Sequence, residues 1–280
     1  MMVTYLQEKH QVSQRRACRV LDQSRSTQVY QPKRADIDRP VVNRMIELAD
    51  KHPRYGYRRI TALMRREGWK VNRKRIYRLW RKSGRQIVRK KKMNRKVGDP
   101  QHACHLLPSQ HPHDVWSYDF LFDHTSNGQP LKILVVMDEY TRQCLSIKVN
   151  RKIKHTDIWE ILRGLFVSHG VPKRLRSDNG SEFLAYRLKS HFDTYGISSL
   201  HIAPGSPWQN GFVESFNAHF KDECLNREVF DTLLEAQVVI EHYRLEYNQK
   251  RPHSSLGYLT PVEFEQQEKL KHQKLSLHMV

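Results

Sequence analysis

Residues 131–137, LKILVVM, are apolar at six of seven positions. So short a run falls well below the about 20 residues of a membrane span. Without a polar face it reads as a central strand covered on both sides. Such a strand requires a sheet with helices packed on it, and the neighbouring residues supply one. Upstream, Trp116, Tyr118, Phe120 and Phe122 alternate with Ser117, Asp119, Leu121 and Asp123, the two-residue period of a strand. Asn127-Gly128 provides the turn between the two. Residues 144–149 make a third strand. A helix follows over 155–169, with Ile158, Ile161, Leu162, Leu165 and Phe166 on its inner side. Pro172 leads into a short strand over 174–177, residues 183–195 form a helix ended by Gly196, and 198–202 form a last strand. Three strands in a meander, then helix, strand, helix, strand, predict an α/β domain: a mixed five-stranded sheet with flanking helices. Two further helices are expected over 208–225 and 232–248, then a stretch holding Arg251-Pro252-His253 and Thr260-Pro261. This domain is bounded at 113–265, with a polar tail over 266–280.

The N-terminal third differs in kind. The chain of 280 residues has a net charge of +20, yet residues 1–100 hold 29 Lys+Arg against 8 Asp+Glu and the remainder is nearly neutral. A domain so basic attracts polyanions by releasing their counterions, and nucleic acid is the commonest such partner. Residues 1–35 read as an N-terminal helical arm, one or two short helices and then an extended stretch around Pro32. Residues 36–86 read as an all-α domain of three helices. The first starts after Asp38, near Pro40, a good first-turn residue. The second follows Tyr55-Gly56-Tyr57 and stops at Gly68. The third opens at Asn72, a plausible N-cap, and buries Ile76, Leu79 and Trp80. Two short helices around a Gly-containing turn, the second rich in Arg and Lys, suggest a helix-turn-helix. Arg58, Arg59, Arg73, Lys74, Arg75 and Arg78 are its candidate DNA contacts. Residues 87–112 form a basic linker that includes the run 89–96. His102, Cys104, His105, His111 and His113 fit no regular zinc spacing, so the linker is expected to be polar and metal-free.

Cys18, Cys104, Cys144 and Cys224 form no CxxC pair and are expected to be free thiols in a reducing compartment. The first ten residues are too polar for a signal peptide, and no apolar run would span a membrane. The expectation is a soluble cytoplasmic protein.

Three acids stand out by position. Asp119 lies inside the first strand, where Asp is disfavoured. Asp178 follows the fourth strand, at the carboxyl end where open α/β sheets gather ligands. Glu214 lies on the helix after 204–209, and at 100° per residue Asn210, Glu214, Asn217 and Lys221 share one face of it. Phe212, Phe216 and Phe220 lie opposite and are expected to enter the core. Cutting and rejoining a phosphodiester needs an activated oxygen nucleophile and a stabilised leaving oxygen. Two Mg²⁺, or Mn²⁺ in their place, supply both and take carboxylate oxygens. Asp119 would bridge the two ions, Lys221 would reach a phosphate or terminal nucleotide, and Asn210, Asn217 and Trp208 are further candidate DNA contacts. Asp123, Asp138 and Glu139 are read as turn or edge residues.

Asp178 and Glu214 have 35 residues between them. That spacing resembles the D-D-35-E pattern of retroviral integrases and many bacterial transposases. Residues 177–183 (SDNGSEF) resemble the second-Asp motif. Residues 204–217 (PGSPWQNGFVESFN), with Trp208, resemble the Glu helix, and Lys221 falls on the family's basic position. Residues 247–261, from Tyr247-Asn248 through Arg251-Pro252-His253 to Thr260-Pro261, resemble the C-terminal signature. Residues 54–60 resemble the preceding helix-turn-helix, and residues 15–21 the start of a second reading frame. The chain is similar over nearly its whole length to the OrfB component of two-frame bacterial insertion sequences, IS family three. The resemblance implies a ribonuclease-H-like integrase core and a transposase that cleaves and joins DNA by a copy-out, paste-in pathway. It also implies Asp119, Asp178 and Glu214 as catalytic metal ligands. As partners it implies the double-stranded DNA of element ends and target, an OrfA subunit or a frameshift fusion with it, and a homo-oligomer on DNA. Two other readings use the same residues: a nuclease of the ribonuclease H fold, and a DNA-binding regulator with an inactive core.

Overall fold

The computed structural model describes residues 2–29, 34–85, 108–177, 186–201 and 210–278. Asp178, Trp208, Cys104 and the basic run 89–96 lie outside the described residues.

The sheet forms as the apolar pattern requires. Strands β1 (Val115–His124), β2 (Pro130–Asp138) and β3 (Cys144–Asn150) make an antiparallel meander. Helix α7 (His155–His169), strand β4 (Arg174–Ser177), helix α8 (Tyr186–Thr194) and strand β5 (Ser198–His201) follow; the numbering of helices counts six N-terminal ones given below. Strand order is β3-β2-β1-β4-β5, with β1, β4 and β5 mutually parallel. The mixed five-stranded sheet with flanking helices is therefore observed, and β2 is internal, with Leu131, Ile133, Leu134, Val135 and Val136 fully buried. Its two faces feed different layers. Leu134 and Val136, with Trp116 and Tyr118, pack against Ile158, Leu162 and Phe166 of α7. Ile133, Val135 and Met137 pack against Val213, Phe216 and Phe220 of α9 (Gly211–Phe220) and Ile240 and Tyr247 of α10 (Leu233–Gln249). Each such fully buried side chain contributes about 1.5–3 kcal/mol. This two-sided burial turns α9 toward the sheet.

Residue 220 does not end the helix cleanly. Lys221–Leu225 continue as a single π turn, where the sequence pattern predicts one unbroken helix. Phe212 is also corrected: it is 38% exposed, and Val213 takes the core position instead. The inner stripe is Val213, Phe216, Phe220 and Cys224, a spacing of three to four residues.

Asp138 and Glu139 are not edge residues but buried ones. The Asp138 carboxylate accepts from the Thr141 hydroxyl at 2.6 Å and from the Thr141 and His113 backbone N–H groups. Glu139 accepts from Arg176 Nε at 2.9 Å, a buried pair that ties the β2 end to β4. Burial pushes both carboxyls up, against the pull of these partners.

The basic region is helical: α1 (Met2–His10), α2 (Gln14–Val20), α3 (Arg25–Val29), α4 (Arg34–Lys51), α5 (Tyr57–Arg66) and α6 (Arg73–Lys82). Helices α4–α6 enclose a separate core of Met45, Ile60, Met64, Ile76, Leu79 and Trp80. Gly68 ends α5 at φ +86°, a conformation that suits glycine. Asn72 caps α6 by accepting from the Lys74 N–H at 2.9 Å. Helix α4 starts before the expected Asp38–Pro40 boundary, with Pro40 inside it. Pro40 lacks one backbone donor, and ion pairs brace the turn before it: Asp38 with Arg75 at 2.6 Å and Arg78 at 3.5 Å, and Asp36 with Arg39. At the other end, α11 (Pro261–His278) runs across the expected boundary at 265. Glu268, on the expected tail, is buried and accepts from Tyr140 Oη at 3.0 Å.

Candidate active site

The sheet and α9 meet at Asp119. This residue lies inside β1, opposite Val135 of β2, and is partly buried. Its Oδ1 accepts from the Phe120 N–H at 2.8 Å. Its Oδ2 accepts from Asn217 Nδ2, also at 2.8 Å. The second bond ties the helix to the strand across 98 residues of sequence. Glu214 stands three positions before Asn217, within about 60° on the same helix, and is partly buried. Asn217 thus brings the Glu214 face of α9 onto the Asp119 position of β1. The parallel register pairs Ser117 with Arg176, and the following Ser177 ends β4. Asp178 comes next in sequence, outside the described residues.

The donor set suits a hard cation. Asp119 and Glu214 offer carboxylate oxygens, and two amides flank them. The side-chain oxygens of Asn210 and Asn217 are buried with no hydrogen-bond partner among the described residues, although buried acceptors are normally satisfied. Oxygen-only donors fit Mg²⁺ or Mn²⁺ and fit zinc poorly. Among the described residues no group of three acidic, His or Cys side chains forms a complete cation site.

The opposite side of α9 is cationic. Glu223, in the π turn, accepts from Arg251 Nε at 2.8 Å and Nη2 at 2.7 Å, and from Arg59 Nη1 at 3.2 Å. Burial pushes the Glu223 carboxyl up, but the two guanidiniums more than reverse this and hold it below the usual carboxylate range. Asp222 pairs with Arg54 at 2.6 Å, and Arg66 with Glu263 at 2.5 Å. Helix α5 and the loop before it are thereby docked on the catalytic layer through three arginines.

Comparison with known proteins agrees with this architecture. The integrase core domain matches residues 109–207 and, in a second family model, 195–261; an HTH-like domain matches 36–93. A 31.7 kDa protein of insertion element IS407 from Burkholderia multivorans is 40% identical over 92% of this chain and 92% of its own. A protein of insertion element IS476 from Xanthomonas euvesicatoria is 39% identical over 90% of this chain and 72% of its own. The transposase for insertion sequence element IS904 from Lactococcus lactis is 26% identical over 84% of this chain and 97% of its own. The chain belongs to the insertion-element transposases.

In this transposase the sheet is that of the integrase core, and α4–α6 are the HTH-like domain. The sequence-derived site residues fall into distinct places. Asp119 and Asn217 meet at the junction of β1 and α9, with Glu214 three residues before Asn217 on the same helix and Asn210 at the helix N-cap. Lys221 follows at the start of the π turn and is exposed. Arg73 and Lys74, in the first turn of α6, and Arg58, on α5, are exposed. Arg75 and Arg78 share Asp38, and Arg59 turns inward to Glu223. Sequence reasoning missed Glu223 and Arg142 altogether. A π turn carries no sequence signal that would rotate Glu223 toward Arg59, and Arg142 resembles any polar turn residue. Cys18, Cys144 and Cys224 are buried free thiols. Among the described residues no helix is long and apolar enough to cross a membrane.

Proposed function

We propose that Asp119, Asp178 and Glu214 are the catalytic ligands of two Mg²⁺, with Mn²⁺ as substitute, in a transposase that cleaves and joins the ends of its own element. The observation that carries this reading is the 2.8 Å bond from Asn217 to Asp119, which couples the helix of Glu214 to the strand of Asp119. When bound, the two cations supply an activated oxygen nucleophile and a stabilised leaving oxygen. The chain's own part is to hold carboxylate oxygens in place and to bring DNA to them. Asn217 fixes the Asp119 carboxylate through Oδ2. Lys221, Asn210 and Trp208 would contact the DNA near the scissile phosphate. Arg58, Arg73, Lys74, Arg75 and Arg78 would engage the duplex through the helix-turn-helix, and Arg59 would support them from its pair with Glu223. In functional terms the chain divides into the arm 1–35, the DNA-binding domain 36–86, the linker 87–112, the core 113–265 and the polar tail 266–280. An OrfA-type partner or fusion, and a homo-oligomer assembled on DNA at the nucleoid of the cytoplasm, complete the reading.

A strand-transfer assay on labelled DNA carrying the ends that flank the gene tests it. This chain alone and fused to the upstream frame are compared with Glu214→Gln, with and without Mg²⁺. Metal-dependent joining that Glu214→Gln abolishes while DNA binding survives is the expected result. Joining of equal yield in the variant would remove Glu214 from the ligand set.

A further inference from the structure

A cavity of about 510 Å³ lies on the side of α9 away from Glu214. Its size is within the range of about 300–1,000 Å³ typical of small-molecule sites. The C-terminal signature lines one wall with Tyr247, Arg251, His253, Ser254 and Ser255; α9 supplies Phe212, Ser215 and His219 to another. Arg142, from the turn between β2 and β3, completes it.

Four observations mark Arg142 as more than a turn residue. It has φ +62°, a left-handed conformation rare for a side-chain-bearing residue and often kept where function requires it. Its guanidinium lies 3.7 Å over the centre of the Phe212 ring. Its Nη1 is buried without a hydrogen-bond partner among the described residues. Burial pulls its pKa down while leaving it a cation. The nearby acids have other principal partners: Glu139 accepts from Arg176, and Glu223 from Arg251 and Arg59. Three guanidiniums, of Arg142, Arg251 and Arg59, thus border the cavity, with Glu223 shared by Arg251 and Arg59 and Glu139 lying nearest Arg142. His253 reports the resulting field. Burial first, then the charges of Arg251, Arg59, His219 and Arg142, push its pKa down to about 2. The imidazole is neutral, consistent with Arg251 Nη1 lying 3.4 Å from its Nε2.

We infer that this cavity receives one unpaired nucleotide of a DNA strand, its phosphate on Arg142 and its base against the aromatic wall. An unmet guanidinium donor with neighbouring serine hydroxyls suits a phosphate oxygen. Phe212, 38% exposed beside Arg142, offers a ring of the kind on which unpaired bases stack. In a duplex the base faces are covered by their stacked neighbours, so a base reaches this wall only from an unpaired nucleotide or after leaving the stack, as enzymes that handle single bases require. The inference takes from the proposed function only that the partner is DNA.

The test places 2-aminopurine in a short single-stranded overhang, in the interior of the same duplex with blunt ends, and in free 2-aminopurine deoxyriboside 5′-monophosphate. Fluorescence and anisotropy are read with the full chain, Arg142→Gln and Ser215→Phe. Ser215 is exposed on α9, so its replacement fills the cavity without entering the core. The expected result is quenching of the overhang base and tighter binding of overhang than blunt DNA. That preference should fall at least about tenfold in both variants while blunt-duplex binding holds. Equal affinity for both DNAs, or a preference that Ser215→Phe leaves intact, overturns the inference. Tight binding of the free nucleotide without overhang quenching also overturns it, in favour of a soluble nucleotide ligand. Loss of all DNA binding by the unaltered chain would instead reject the DNA reading itself.

Discussion

The two sides of α9 carry opposite chemistry within one helix diameter. The side facing β1 gathers acids and amides, Glu214, Asn217 and Asp119, joined by an amide-to-carboxylate bond of 2.8 Å. The other side gathers guanidiniums around Glu223, with Arg251 only 2% and Glu223 8% exposed in their side chains. The first side offers oxygens that attract cations. The second spends the Glu223 carboxylate on two arginines, Arg251 and Arg59, and leaves Arg142 beside them as a further cation. The helix itself separates them, since positions 214 and 217 lie about half a turn from 212, 215 and 219. Metal-binding oxygens and phosphate-binding nitrogens would cancel if they met, so a transposase that needs both gains by placing a helix between them.

Asp119→Asn should cut strand transfer about a thousandfold or more, as removal of a metal-bound or reacting group does. The double variant with Glu214→Gln should lose little further, because the two act as a unit. Additive losses in a kinetic comparison would separate these residues and break the picture of one site. On the far side, Glu223→Gln leaves the buried Arg251 and the inward Arg59 without their counter-charge. It should cost about 3–5 kcal/mol in urea unfolding. The exposed pair of Arg44 and Glu47 is a control, and Glu47→Gln should leave the urea midpoint nearly unchanged. Similar costs for the two would mean that the far side is wetter than its burial implies.

Asn217→Ala tests the link between strand and helix. As a positioning residue, Asn217 should raise the Mg²⁺ concentration for half-maximal joining by about 10–100-fold when truncated. A fall in melting temperature with an unchanged metal requirement would make it a packing residue only. The smallest effect lies off this helix. Arg73→Ala with Lys74→Ala should lower the slope of log K against log salt by about 0.9 for each lost phosphate contact. An unchanged slope would exclude the start of α6 from the DNA surface.

Much of this was legible before any coordinates. Leu131 to Met137 announced an internal strand because burial on both faces leaves no polar period. The even spacing of Trp116, Tyr118 and Phe120 announced β1, and Asn72 and Gly68 announced the limits of α6 and α5 through capping chemistry that acts within a few residues. The juxtaposition of Glu214 and Asn217 followed from helix geometry alone. Phe212 was misplaced because one α-helical period was extended without knowing that Val213 fits the sheet better. Asp138 and Glu139 misled because a carboxylate's burial depends on distant partners, here Thr141 and Arg176, that local pattern does not reveal. Pro40 misled similarly, since the ion pairs around Asp38 come from α6, about 40 residues away. The cationic cavity was illegible because it joins α9, the β2–β3 turn and the C-terminal signature only after folding.

The π turn at Lys221–Leu225 has a consequence for how such elements diversify. A π turn is geometrically one residue inserted into an α-helix. Deleting a single residue here would restore the α-helical ladder and shift Asp222 and Glu223 relative to the helix face that precedes them. Asp222 and Glu223 would then leave Arg54 and Arg59, while α10, joined through residues 226–232, would keep its place on β3. Glu214, upstream, would keep its place. A frame-preserving loss of one codon in this stretch should therefore break both ion pairs at once and destabilise a copy of the element in which Asp119 and Glu214 remain intact.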